Sequence, residues 1–175
     1  RGRLDHLVGD GLEPGEHEKI MAAIEAGVLP RKQRPMVIEH KPAVRALYLL
    51  ALESAMRLRE IYSLTVDQVK LGQRTVFLDK TKNGDKRQVP LSSVAVKVLQ
   101  DYLGGERVVP PGGRADLVFP WWDGEAGTLD EVSDRLSKLF HNPRSPGIFD
   151  AAGCKDLKFH DLRHEATSRL FERTK

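Results

Sequence analysis

Hydrophobic and polar positions alternate along this chain mostly with helical spacing. Between Glu16 and Ala26 the apolar residues are Ile20, Met21, Ala23 and Ile24, and Gly27 follows, which predicts a short helix with a glycine stop. Residues 28–41 are basic and broken by prolines, and read as loop. Pro42 suits the first turn of a helix. Behind it Val44, Leu47, Tyr48, Leu49, Leu50, Ala51 and Leu52 nearly encircle the axis, so this helix is expected to be central and buried. A shorter helical piece, Arg57 to Leu64, comes next. Thr75-Val76-Phe77-Leu78 and Lys86 to Leu91 read as two strands, joined through Asn83-Gly84, a two-residue turn signal. Ser92 caps a further helix with Val94, Val98, Leu99 and Leu103 as its stripe and Gly104-Gly105 as its end. Leu117-Val118-Phe119 suggests a short strand. An amphipathic helix starts at Thr128 or Asp130 and carries Leu136, Leu139 and Phe140. Residues 142–156 read as loop, and a last helix runs from about His160 to Arg173. The expected class is mainly α with a small antiparallel β-hairpin or sheet, α+β; too few strands alternate with helices for a parallel sheet.

Composition narrows the class. The chain has 175 residues, enough for one sizeable core. Residues 1–15, with four glycines and Pro14, read as an incoming linker, and 16–175 as one domain. No apolar run approaches the ~20 residues that span a bilayer, so no membrane partner is expected. A single cysteine, Cys154, cannot form an internal disulfide and suits a reducing cytoplasm; it reads as a small residue in a turn. The net charge of +3, from 28 basic and 25 acidic residues, permits a nucleic-acid partner without requiring one. The basic residues Lys80, Lys82, Lys86 and Arg87 crowd the predicted hairpin. Taken alone, such a run is an ordinary solvated hairpin tip.

Candidate chemistry concentrates in His160-Asp161-Leu162-Arg163-His164. Phe159, Leu162, Ala166 and Leu170 step by three and four and form a buried stripe; His160, Arg163, His164 and Thr167 lie on the stripe beside it. A guanidinium and an imidazole side by side suit a phosphate and its protons. The same segment also fits a plain structural role, with Arg163 paired to a carboxylate and His160 capping the helix. A metal held by His160 and His164 is disfavoured, because Arg163 between them repels a cation and the glutamate of a zinc-protease helix is missing. Upstream, Arg57 follows a very apolar helix and has Glu60 three residues on as an anionic partner.

Together these segments resemble the catalytic domain of the tyrosine recombinases, the phage-integrase family of site-specific DNA recombinases. Ser54 to Leu64 is similar to the family's first box, with Arg57 as its arginine and Ala55-Met56 in place of the usual Thr-Gly. Lys82, eight residues before Pro90, matches the hairpin lysine, and His160-Asp161-Leu162-Arg163 matches the His-x-x-Arg of the second box. The resemblance covers roughly residues 12–173. It implies that Arg57 and Arg163 grip a DNA phosphate, that Lys82 protonates the departing 5′-oxygen, and that His160 bonds the phosphate or takes the nucleophile's proton. Glu60 is implied to orient Arg57 or His160, and His164 to support the site structurally. Lys80, Lys86, Arg87 and Arg59 are expected against the DNA backbone. No metal or cofactor is implied. The expected partners are double-stranded DNA and three further copies in a tetramer.

The resemblance also implies a third-box His or Trp and a nucleophilic tyrosine, both expected downstream of Lys175. Tyr48, Tyr62 and Tyr102 precede the second box and read as core residues, so this chain is expected to bind DNA weakly and not to cleave it. Residues 1–15 would be the tail of a linker from a DNA-clamping domain. Two alternatives stay open: a catalytically inactive DNA-binding or regulatory module of the same descent, and an unrelated phosphate or RNA enzyme using His160 and His164. The recombinase reading requires Arg57, Lys82, His160 and Arg163 to converge on one cleft.

Overall fold

The computed structural model describes residues 11–79 and 84–173. The apolar helix after Pro42 is its centre: α2, Lys41–Ser54, buries residues from every side of its axis, including the carboxylate of Glu53. Only Lys41, Pro42, Arg45 and Leu49 stay half-buried, and other elements wrap the rest of it. To introduce them in chain order, α1 is Glu16–Ala26, β1 Val28–Leu29 and β2 Met36–Val37. After α2 come α3 (Leu58–Tyr62), β3 (Val69–Lys70), β4 (Thr75–Leu78), β5 (Arg87–Pro90) and α4 (Ser93–Asp101). The chain then forms α5 (Leu129–Phe140), α6 (Ile148–Ala151) and α7 (Asp161–Arg173). The mainly helical α+β class is as expected.

α1, α2, α5 and α7 show the periodicity that predicted them; α4 buries Ala95 and Leu99, and Val94, expected in its apolar stripe, is exposed. α1 buries Ile20 and Ile24 and stops at Gly27, whose φ of 72° is the left-handed conformation glycine accepts without strain. α7 lies along α2 and buries Leu162 and Ala166, while Leu170 is only half-buried. Ser92 Oγ caps α4 by accepting the Ala95 N–H at 3.1 Å. β3, β4 and β5 form an antiparallel sheet in that order, with Val76 facing Val89 and Leu78 facing Arg87. Val76 and Val89 point into the core. The expected turn falls partly outside the described residues, since Asn83 is not among them; Gly84 has the positive φ, 83°, that such a turn needs.

Four further expectations are corrected. Residues 28–41 are not all loop, because β1 and β2 pair as a small hairpin, too short for any periodicity to reveal. Gly104 and Gly105 do not end the helix after Asp101. The backbone continues as a wider turn through Glu106, anchored by the buried Tyr102 ring stacked 5.4 Å from Phe119. Leu117-Val118-Phe119 is not a strand but a buried connector, tied by one bridge to Thr65 and by the Val118 N–H to the Leu64 carbonyl at 2.9 Å. Residues 142–156 contain α6, whose Ile148 and Phe149 are buried. Gly147, just before it, lies so close to α5 that a Cβ there would come within 2.7 Å of the Phe140 backbone.

Candidate active site

The site forms where α2 ends. Ser54 Oγ donates to the Leu50 carbonyl at 2.5 Å, and the next residue, Ala55, turns into the left-handed region at φ 57°, ψ 17°. That turn reverses the chain and delivers Arg57 in extended conformation at the start of α3. The residue needing glycine-like freedom is thus Ala55, with Met56 as a buried residue after it. Pairing Ala55-Met56 with the family's Thr-Gly is therefore one residue out; Ser54-Ala55 occupies that place.

α7 meets this turn directly. Arg163 Nε donates to the Ala55 carbonyl at 3.0 Å, which ties the last helix to the end of α2; among the described residues the terminal nitrogens of the guanidinium make no hydrogen bond. Between them lies a cavity of about 110 Å³ lined by Ala51, Met56, Arg57, Leu58, Ser137, Phe159, His160 and Arg163. Arg57 shares this one cavity with His160 and Arg163, which lie far from it in sequence. His160 is exposed, and its ring stands edge-on to His164 with centroids 5.5 Å apart. His164 is not among the residues lining the cavity.

Charge in the site is unbalanced. Arg163 is held below the ordinary guanidinium range, first by burial and then by the positive charges of Arg57 and Arg87, with Glu60 opposing. A guanidinium shifted this way sits among other cations, and a bound anion would relieve it. Glu60 is the buried carboxylate of the cluster. Its Oε1 accepts the Arg57 backbone N–H at 2.8 Å and the Arg87 Nη2–H at 2.9 Å. Glu60 therefore fixes Arg57 through its backbone as a helix cap, and the guanidinium it pairs is that of Arg87. Among the described residues Glu60 Oε2, which is buried, has no hydrogen-bond partner.

The other expected DNA contacts divide. Arg87 shares the inward face of β5 with Val89, because side chains alternate along a strand, and its charge is largely matched by Glu60. Lys86 is exposed beside it. Arg59 turns toward α5 and pairs with the exposed Asp130, and this hydrogen bond raises the Arg59 pKa. Lys80 and Lys82 lie outside the described residues, so their part in convergence stays an expectation. All three tyrosines are buried: Tyr48 Oη bonds His17 Nδ1 at 2.9 Å, Tyr62 donates to the Leu129 carbonyl at 2.7 Å, and burial pushes Tyr102 up to about 12. Sequence reasoning missed Ser137, brought into the cavity wall by α5, and the Glu60–Arg87 pair. The i, i+3 spacing of Arg57 and Glu60 was a visible capping signal; nothing in the sequence pointed from Glu60 to Arg87.

The model of the phage integrase family matches residues 11–174. The chain belongs to the phage integrase family. Among curated proteins it is 37% identical over 130 residues to a Haemophilus influenzae sequence carrying the provisional description integrase/recombinase, covering 74% of this chain and 36% of that protein. It is 33% identical to the shufflon-specific DNA recombinase of Escherichia coli (72% and 27% covered) and 32% identical to the tyrosine recombinase XerD of Pseudomonas putida (72% and 40%). The chain thus spans between about a quarter and two fifths of the length of these relatives. In fold it is similar to the XerH site-specific recombinase bound to its difH substrate, with TM-score 0.62, 23% identity, and 95% of this chain and 44% of that one covered. The XerA recombinase gives TM-score 0.59 at 14% identity, covering 94% and 52%. This integrase-family chain has the fold of the tyrosine recombinase catalytic domain.

Proposed function

We propose that this chain supplies the phosphate-activating part of a tyrosine-type site-specific DNA recombinase, which cuts and rejoins a DNA strand through a 3′-phosphotyrosyl link. The observation that supports this best is the shared cavity of Arg57, His160 and Arg163, joined by a hydrogen bond from one box to the other. In this reading the two guanidiniums hold the non-bridging oxygens of the scissile phosphate, where planar forked donors match the charge of the pentacoordinate transition state. His160, on the exposed side, bonds the phosphate or takes the proton of the attacking hydroxyl. Lys82, in the span between β4 and β5, protonates the 5′-oxygen as it leaves. Lys86 and Lys80 add sequence-independent affinity for the backbone. With all three tyrosines buried in the core, the attacking tyrosine comes from outside this sequence. The family resemblance further suggests a tetramer on paired DNA duplexes, working in the cytoplasm.

A duplex carrying a p-nitrophenyl ester on a 3′-phosphate at a nick tests the site without the missing nucleophile. The neighbouring 5′-hydroxyl attacks phosphorus, p-nitrophenolate leaves with the bonding electrons of its P–O bond, and the hydroxyl proton passes to a basic group of the site. The chain should accelerate ligation, and Arg57→Ala should cut the rate by about 10²-fold or more. Binding of the duplex without any acceleration would instead favour the inactive DNA-binding module.

A further inference from the structure

A second, larger cleft lies away from the Arg57 cavity. It has a volume of about 1120 Å³ and is formed by the β1–β2 loop and the loop after α5. Four cations line it, Arg31, Lys32 and Arg34 from the hairpin loop and Arg144 from the other side, against the single carboxylate of Glu39. Elsewhere arginines are commonly matched to carboxylates: Arg45 to Glu25 and Glu106, Arg114 to Asp116, Arg169 to Glu53 and Glu165. Among the described residues none of the four cleft cations has an ion pair. Arg31 Nε is buried and has no hydrogen-bond partner among these residues, so part of its guanidinium is desolvated with nothing in exchange. Proline at positions 30, 35 and 146 narrows the backbone freedom of the walls, which lowers the cost of ordering them around a ligand.

We propose that this cleft binds the phosphodiester backbone of duplex DNA, as a contact separate from the reacting phosphate. The proposal rests on the recombinase reading above. The cleft adjoins the start of α2, since Val37 and Glu39 lie just before Lys41, whereas the Arg57 cavity adjoins its end. A helix of this length spans about 21 Å, close to six base pairs of duplex. The stretch from Ser137 to Arg144 links the two, with one end in each wall. One duplex can therefore reach both, giving the flank of the cleavage point its own grip. Because the ligand is a repeating anion, the contact adds affinity and register without reading bases.

The test is binding of a duplex of about 30 base pairs, roughly three helical turns, across a salt titration. The proteins compared are the wild-type chain, the triple variant Arg31→Ser/Arg34→Ser/Arg144→Ser and, in case Arg31 is needed for folding, the pair Arg34→Glu/Arg144→Glu at exposed positions. The triple variant should bind at least about tenfold more weakly near 0.1 M salt, with the slope of log affinity against log salt shallower by about 2 to 3, near one for each phosphate no longer neutralised. A radical footprint should lose protection about six base pairs from the part that depends on Arg57. Unchanged affinity and slope in both variants, with the wild type binding, overturns the proposal and leaves the recombinase reading standing. A wild-type chain that does not bind DNA overturns that reading, and this one with it.

Discussion

In the proposed site Arg163 combines a donor engaged with protein and terminal donors that bond nothing among the described residues. Its Nε bond to the Ala55 carbonyl sets the plane of the guanidinium, so its terminal nitrogens are aimed before any ligand arrives. Lysine keeps the charge but has no second donor on the same plane. Arg163→Lys should therefore cut ligation of the p-nitrophenyl substrate by roughly 10²-fold with little change in DNA affinity, read from rate against substrate concentration. His17 shows the opposite use of a titrating group. Burial first, and the charge of Arg169 second, lower its pKa and so favour the neutral ring, which bonds the Tyr48 hydroxyl. A depressed histidine contributes stability that is present above its unfolded value of about 6.5 and is lost as pH falls through the folded value. Urea unfolding should show stability declining as pH drops from about 7 to about 5. His17→Gln should flatten that decline.

Among the elements, the α2–α3 turn and α7 depend on each other. Ala55 holds a left-handed φ that costs an L-residue about 1 kcal/mol. Ala55→Gly should raise stability by about 0.5–1 kcal/mol in chemical denaturation, because the conformation is native and only the residue is wrong for it. Most of these elements could be read from the residues: Gly27 as a stop, Pro42 as a start, Ser92 as a cap, and the α7 stripe of Leu162 and Ala166. Others could not. The two-residue strands β1 and β2 have no period to detect, and α6 is held by Asp150 accepting the Asn142 and Gly147 N–H groups at 3.1 and 2.8 Å, a local bond in a stretch that looks like loop. Gly104-Gly105 misled because Tyr102 is anchored in the core, and tertiary packing outweighs the helix-breaking tendency of glycine there.

At the scale of the molecule, polar bonds join the outer helix to the central one and to the first described residues. Arg169 on α7 pairs with the buried Glu53 of α2 at 3.2 Å and with Glu165 at 2.9 Å, and Glu165 in turn accepts the Leu12 N–H at 3.0 Å. Arg169→Met keeps the stem but leaves Glu53 with less compensation, and should lower unfolding stability by about 1–3 kcal/mol, measured in urea melts at neutral pH. The helical class and the His160–Arg163 cluster followed from the sequence by itself, because periodicity, caps and the spacing of chemical groups are local properties of a chain, whereas Arg57 was joined to that cluster by the resemblance to the family. Only the tertiary structure decided that these three share one cavity, that Glu60 pairs Arg87 while capping Arg57, and that Arg144 joins Arg31 and Arg34 across a second cleft. Those pairings depend on where packed helices bring distant residues, and no local spacing encodes them.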